Sequence, residues 1–523
     1  MEKIIIIAMA LCFVIISLLL TRGLELSDPA LYIQNGLALA EGKYFIQPTV
    51  MSLRIGMILS LAMIIQLFGL NFHTLIILPL IFSVALLFII IRFFKGQPAS
   101  GIAAIALFGS NTLILTQSTY IGVDLPATLF LFLAFLAIIK AQMNPGENTI
   151  YHAFFTGTGL VCSFLFKELI IFAIPALLFF LLRDIKKRRN FRFWLLTVGI
   201  CIFFISLYFM YYQITTGDFM YRLHVIEQEH NISRFSFYER SKTELLKRIT
   251  YQPLVYILLS KNFIIPFLLC IGYFTLNQNI RRIFSPVSKT DYVAIYFLIT
   301  LGTYWWGSTS FNTYNPLPTD GRMWLVLIPP MIILAASYVG FIVGAIWHKG
   351  KAASVFFIYV PLVFFLFFSF KFIRQEREIN KTAAEPYFAE RRFIDSLITN
   401  SSDSILLITD SRLASLSFIY SQQLGHVHIE SWELMLQKSI SLKPAPLVPY
   451  QTLILVNSDR ATMLYEFYDH YYLPDEKEIS RLYPAIFSSG NVNVYRFTEN
   501  NFSLRGFPGK LPRSYKTLSR SDD

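Results

Sequence analysis

Eleven apolar runs, each about long enough to cross a bilayer's hydrocarbon core, constrain what this chain can fold into. They lie near 4–21, 74–91, 99–119, 123–139, 150–166, 168–182, 194–216, 253–277, 291–306, 321–347 and 352–371. A twelfth run, 51–70, carries Arg54 and Gln66. With 55% hydrophobic and only 15% charged residues, the chain lacks the polar surface a water-soluble fold of 523 residues needs. The expected fold is mainly α: a polytopic transmembrane helical bundle of about 11 spans plus a juxtamembrane helix, with a small C-terminal α/β domain. No small-residue cleavage site follows 4–21, so that run reads as a retained first helix.

The formal net charge of +12 is unevenly spread. Residues 373–523 hold 17 basic and 18 acidic side chains, so the excess lies in residues 1–372. There it gathers between apolar runs: Arg92 and Lys95; Arg183, Lys186, Lys187, Arg188, Arg189 and Arg192; Arg281, Arg282 and Lys289; Lys349 and Lys351. That pattern orients membrane proteins; it is not one that binds nucleic acid. An even number of spans separates each cluster from the next, so all four share one side, expected to be cytoplasmic. With Lys3 also inside, one complete crossing must fall between residues 22 and 92. The 74–91 run is the cleaner candidate, which leaves 51–70 as an interfacial or re-entrant helix. The tail 373–523 then lies outside.

Cys12, Cys162, Cys201 and Cys270 all sit in apolar runs, which argues against a disulfide framework or thiolate metal site. No Walker loop, dinucleotide fingerprint or serine-nucleophile elbow is present, which weighs against a nucleotide-driven pump.

Fixing the sidedness makes several polar residues converge. Asp28, Arg54, Asp124, Lys167, Glu168 and Arg322 fall on the outer face or at outer helix ends, as do the loop 217–252 and the tail. Charge at the end of an apolar helix needs water, a partner or a ligand, so a cavity opening to the outer leaflet is the economical reading.

Each residue has a plain structural reading beside the functional one. Asp28, before Pro29, suits a helix N-cap; it equally suits a carboxylate that accepts a proton from a substrate hydroxyl or amine. Asp124, in Gly122-Val123-Asp124-Leu125-Pro126, reads the same two ways. Lys167 and Glu168 interrupt one apolar stretch, either as an ion pair or with Lys167 binding a phosphate that Glu168 helps position. Arg322, near Trp324, is an interfacial anchor or a phosphate ligand, and Arg54 shares these readings. His224 and His230, with Glu227 and Glu229, lack a firm metal-ligand spacing. His426 and His428 alternate on a short tail strand and read as ordinary surface histidines.

The tail carries strand signals at 404–409, 426–430, 452–456 and 491–497 and helical patterns at 412–423 and 458–470. The domains expected are 1–372, with a catalytic first outer loop 22–50 and an outer loop 217–252, then an extracytoplasmic α/β domain 373–507 and a disordered end 508–523.

The order of these pieces resembles the membrane glycosyltransferases of the C-type fold, specifically the protein O-mannosyltransferase and aminoarabinose-transferase superfamily. The resembling segments are Asp28-Pro-Ala-Leu-Tyr32 through Gly42-Lys-Tyr44, Arg54 opening the next helix, Asp124-Leu-Pro, Lys167, Thr216-Gly217-Asp218-Phe219, and Arg322 leading into Ile328-Pro329-Pro330. The likeness covers roughly residues 1–372.

The resemblance implies a transferase that moves a sugar from a polyprenyl-phosphate-linked donor to a lipid, glycan or protein acceptor. It would be a multi-pass protein of the cytoplasmic membrane acting at the outer face, with no nucleic-acid partner. Asp28 and Asp124 would be the catalytic carboxylates, with Asp28 as base. Lys167, Arg322 and Arg54 would meet the donor phosphate, supported by Glu168 and Tyr32. Many relatives carry an adjacent acidic pair in the first loop, where this chain has Asp28 followed by Pro29. No cofactor is demanded; a divalent metal, if one is used, would sit at Asp28 and Asp124. A polytopic flippase or transporter of lipid-linked saccharides, and a polysaccharide polymerase or ligase of unrelated fold, are the alternative readings.

Overall fold

The structure, a computed structural model, describes residues 2–21, 28–232, 242–276, 286, 288–308, 314, 316–347, 351–400, 404–416, 427–432, 451–467, 473–496 and 509–510. It divides into two compact units: residues 1–21, 35–68 and 73–378, and residues 22–34, 69–72 and 379–523. Arg281, Arg282, Lys349 and His426 lie outside the described residues, as does the expected disordered end apart from Gly509–Lys510.

The first unit is helical. Among the described residues, five helices are long and apolar enough to cross a membrane: Phe72–Phe93, Asp124–Met143, Thr149–Phe166, Phe191–Thr216 and the segment Leu325–Ala345. Gln252–Leu259 and Ile264–Thr275 make a sixth if taken as one span bent by 111°. Glu2–Leu19 is an apolar helix of 18 residues, and shorter apolar helices are Ile55–Phe68 and Pro98–Gly109. Several of the apolar runs are broken or extended. Run 99–119 becomes Pro98–Gly109 and Thr112–Gln117. Run 168–182 begins as a tight 3-10 segment, Glu168–Ala173, before Ile174–Lys186. Run 352–371 opens a 50-residue helix, Lys351–Asn400.

A broken helix leaves backbone donors and acceptors that an apolar interior must satisfy. Two breaks satisfy each other. Asn111 Nδ2 donates to the Asn262 carbonyl at 2.7 Å, and Asn262 Oδ1 accepts from the Leu113 N–H at 3.0 Å and from Thr112 Oγ1. Asn111 also caps its own following helix, accepting from the Ile114 N–H at 3.1 Å. In the 3-10 segment, the Phe172 carbonyl accepts from Thr303 Oγ1 at 2.7 Å. Around these joints packs one continuous apolar core that includes Phe108, Phe132, Phe135, Tyr296, Trp324 and Met331, all at most 2% exposed.

The second unit contains a five-stranded sheet of order β2-β1-β3-β6-β5, with β1 Ile405–Thr409, β2 Val427–Ser431, β3 Gln451–Asn457, β5 Ala485–Ser489 and β6 Val492–Arg496. Strand β1 runs parallel to both β2 and β3, while β6 runs antiparallel to β3 and to β5. A two-stranded piece pairs β4, Leu473–Pro474, with β7, Gly509–Lys510. Ile408, Trp432, Ile454, Val456, Ile479 and Tyr495 form the core on this sheet. The turn into β6 uses Gly490 at φ +57°, a conformation open to glycine at little cost.

Candidate functional site

Lys167 ends the Thr149–Phe166 helix in an extended conformation, φ −155° and ψ 146°, and the 3-10 segment starts at the next residue. This abrupt change of path sends the two neighbouring charges to different partners. Lys167 Nζ stands 2.5 Å from Asp124 Oδ1, with 11% and 8% of the two side chains exposed. Glu168 turns to two guanidinium groups. Arg222 Nε donates to Glu168 Oε1 at 3.0 Å, and Arg54 Nη2 lies 3.8 Å from Glu168 Oε2. Of the two ion-pair arrangements open to Lys167 and Glu168, within one helix or between helices, the structure has the second, as two separate pairings.

Asp124 is the first residue of its helix; Val123 occupies the N-cap, with no side-chain capping bond. The Asp124 carboxylate is spent on Lys167, while its position in the first turn also favours negative charge through the helix dipole. Arg54 lies in the break between Val50–Leu53 and Ile55–Phe68, with φ −85° and ψ 66°.

Arg222 was not singled out by the sequence. It belongs to the helix Tyr221–Ile232 and is fully buried. Besides Glu168 it donates to the Phe164 carbonyl at 3.0 Å and to the Tyr208 hydroxyl at 2.8 Å, and its guanidinium lies 4.4 Å from the Phe164 ring centre. Planar guanidinium between rings, with all edges donating, is the arrangement in which arginine tolerates burial. Together Arg54, Lys167 and Arg222 oppose Asp124 and Glu168, three positive charges against two negative, so this cluster carries a net +1.

Arg322 is more open, with its side chain 44% exposed. It reaches Asp320 Oδ2 at 3.3 Å and donates to the Tyr120 hydroxyl at 3.2 Å, which brings it against the turn that leads into Asp124. Trp324, two residues on, is fully buried and donates from Nε1 to the Pro318 carbonyl at 3.0 Å. A second unforeseen arginine, Arg248, is also fully buried. It donates to the carbonyls of Tyr304, Trp305 and Leu317 at 2.7–3.0 Å, and so holds the C-terminal end of the Lys289–Trp306 helix.

Asp28 begins the helix Asp28–Ala40, and Tyr32, one turn on, is buried. Both belong to the second compact unit, whereas Asp124, Lys167, Glu168, Arg54 and Arg322 belong to the first. His224 Nδ1 lies 2.7 Å from Asp218 Oδ2, as a surface pair. Among the described residues no group of three His, Cys, Asp or Glu comes together to hold a metal.

No protein-family model matches the chain, and no curated protein matches it in sequence. Its fold does match a solved structure. The crystal structure of ArnT from Cupriavidus metallidurans bound to undecaprenyl phosphate superimposes with a TM-score of 0.52. The match covers 95% of this chain and 98% of that one, at 10% sequence identity. The two share a fold. The expected polytopic C-type architecture, with its small C-terminal strand region, is thereby borne out. Identity this low speaks to fold alone.

Proposed function

We propose that the chain is an integral-membrane glycosyltransferase of the cytoplasmic membrane. It moves a sugar from a polyprenyl-phosphate-linked donor to an acceptor at the outer face. The observation that carries this reading is the net-positive cluster at the Lys167 break, in a fold shared with a protein crystallised on a polyprenyl phosphate. A lipid carrier also explains why a transferase needs so many apolar helices.

In this reading the acceptor's O–H or N–H gives its proton to Asp28 as its heteroatom attacks the anomeric carbon. The bond from that carbon to the phosphate oxygen breaks, and a single displacement inverts the anomeric centre. Polyprenyl phosphate leaves with an added negative charge. Arg322 is more exposed than Lys167 or Arg54, with 44% of its side chain open. Lys167 and Arg54 would join by exchanging a carboxylate for the phosphate, so that their full charge is felt only as the leaving group develops.

Transfer from a polyprenyl-phosphate sugar, normalised to protein in the membrane, tests the assignment of the base. Asn matches Asp in size and shape but cannot take the proton. Asp28→Asn should therefore cut turnover by on the order of a hundredfold or more with folding kept. Full activity in that variant eliminates Asp28 as the base.

A further inference from the structure

Six basic residues crowd the turn between the Ile174–Lys186 and Phe191–Thr216 helices, and they fall into two kinds. Arg183 and Arg189 face inward. The Arg183 guanidinium stands 5.0 Å from the Tyr292 ring centre, and Arg189 donates to Asp184 Oδ1 at 2.9 Å and Gln142 Oε1 at 2.7 Å. Lys186, Lys187, Arg188 and Arg192 are exposed.

Beneath the turn sits Asp184, with no exposed surface. Besides Arg189, its carboxylate accepts from Trp194 Nε1 at 2.8 Å, Asn190 Nδ2 at 3.2 Å and Gln142 Nε2. Gln142 belongs to the end of the Asp124–Met143 helix, so the knot anchors the turn to a neighbouring span. Two non-glycine residues in the turn are left-handed, Arg188 at φ 52° and Asn190 at φ 57°. Such conformations are uncommon, and they persist where surrounding contacts fix them.

Below the exposed cations run two apolar stripes. Leu178, Leu182 and Ile185 on one helix, and Phe191, Leu195 and Val198 on the other, are all 45–73% exposed. Orienting a membrane protein requires only basic charge on the correct side. It does not require a four-donor carboxylate and two left-handed residues to hold that charge in one shape.

We propose that this hairpin binds the headgroup of an anionic phospholipid, with the phosphate among Lys186, Lys187, Arg188 and Arg192 and the acyl chains along the two stripes. Charge complementarity selects the occupant. The turn's own acid, Asp184, is buried and engaged, leaving Glu147 of the 144–148 turn as the exposed acid of the adjoining connection. Basic residues just beyond a span attract anionic headgroups, while zwitterionic lipid offers them no net charge. The site is independent of any transfer reaction.

The test uses the full-length protein in a neutral detergent, mixed with equal amounts of phosphatidylglycerol and phosphatidylcholine, with retained lipid read by native mass spectrometry. Phosphatidylglycerol should be retained in preference by about tenfold or more at low salt, and less as salt rises. In Lys186→Gln/Lys187→Gln/Arg188→Asn/Arg192→Gln the preference should fall close to parity; Asn is chosen at 188 because it accepts the left-handed backbone. Lys477→Gln/Arg481→Gln, which removes exposed charge from the tail, should keep it. Equal retention of both lipids by the wild type, or an unchanged preference in the fourfold variant, overturns the proposal. Should that variant not be recovered, Lys187→Gln, Arg192→Gln and the wild-type salt series decide. A preference indifferent to all of them overturns it equally.

Discussion

Lys167 and Glu168 are consecutive in sequence yet serve separate ion pairs, Lys167 with Asp124 at 2.5 Å and Glu168 with Arg222 at 3.0 Å. The divergence comes from one extended residue between an α-helix and a 3-10 segment. The helices Asp124–Met143, Thr149–Phe166 and Tyr221–Ile232 are thereby tied to one break.

Breaking a buried pair from one side leaves an uncompensated charge. Asp124→Asn should therefore cost about 3–5 kcal/mol of stability through stranded Lys167. Asp124→Asn/Lys167→Met should recover much of that loss. Thermal unfolding in detergent, followed by tryptophan fluorescence, reports both. If the single variant matches wild type in stability, the Asp124–Lys167 pair is not the buried contact described.

Arg222 should behave similarly on the other side of the break. Arg222→Met removes a fork that serves Glu168, the Phe164 carbonyl and the Tyr208 hydroxyl, and should lower the unfolding midpoint clearly. Arg222→Lys should restore only part of it, because an ammonium cannot reach all three acceptors from one plane. Equal midpoints for the Met and Lys variants would contradict this geometry.

Arg322 should separate stability from function. With 44% of its side chain exposed, it contributes about 0–1 kcal/mol through its ion pair with Asp320. Arg322→Met should unfold nearly as wild type does while its apparent affinity for the polyprenyl-phosphate donor falls. A variant equal to wild type in donor use would remove Arg322 from the phosphate site.

The surface pair Asp218–His224 makes a pH prediction. The hydrogen bond from His224 holds the Asp218 carboxyl below the usual carboxylate range. A depressed folded value stabilises the loop at higher pH, and that contribution is lost as pH falls through the lowered pKa. Carboxyl carbon shifts in the labelled protein should show Asp218 titrating late in acid, and His224→Ala should return it toward the usual range. Identical titration in both proteins would rule out the contact.

Much of this architecture is legible in the chain itself. Long apolar runs mark helices whatever their neighbours, and charges that interrupt such runs stand out, which is how Asp124, Lys167, Glu168 and Arg322 become visible. Strands β1 and β3 are likewise plain, as buried runs of Leu, Ile and Val. Arg222 and Arg248 are hidden because a polar loop helix looks solvated until its packing is known. The choice of partner at Lys167 depends on a single backbone conformation, and the Asn111–Asn262 tie joins residues 151 positions apart. Strand β5 escapes notice because Ala485–Ser489 has weak alternation and pairs through a bulge.

The central claim is tested most directly by incubating the purified protein with a labelled polyprenyl-phosphate sugar and a membrane extract that supplies acceptors. The account predicts free polyprenyl phosphate together with label on an acceptor, both reduced on the order of a hundredfold in Asp28→Asn. Intact donor carried across the bilayer of vesicles, with no polyprenyl phosphate released, would contradict it and mark the chain as a lipid transporter.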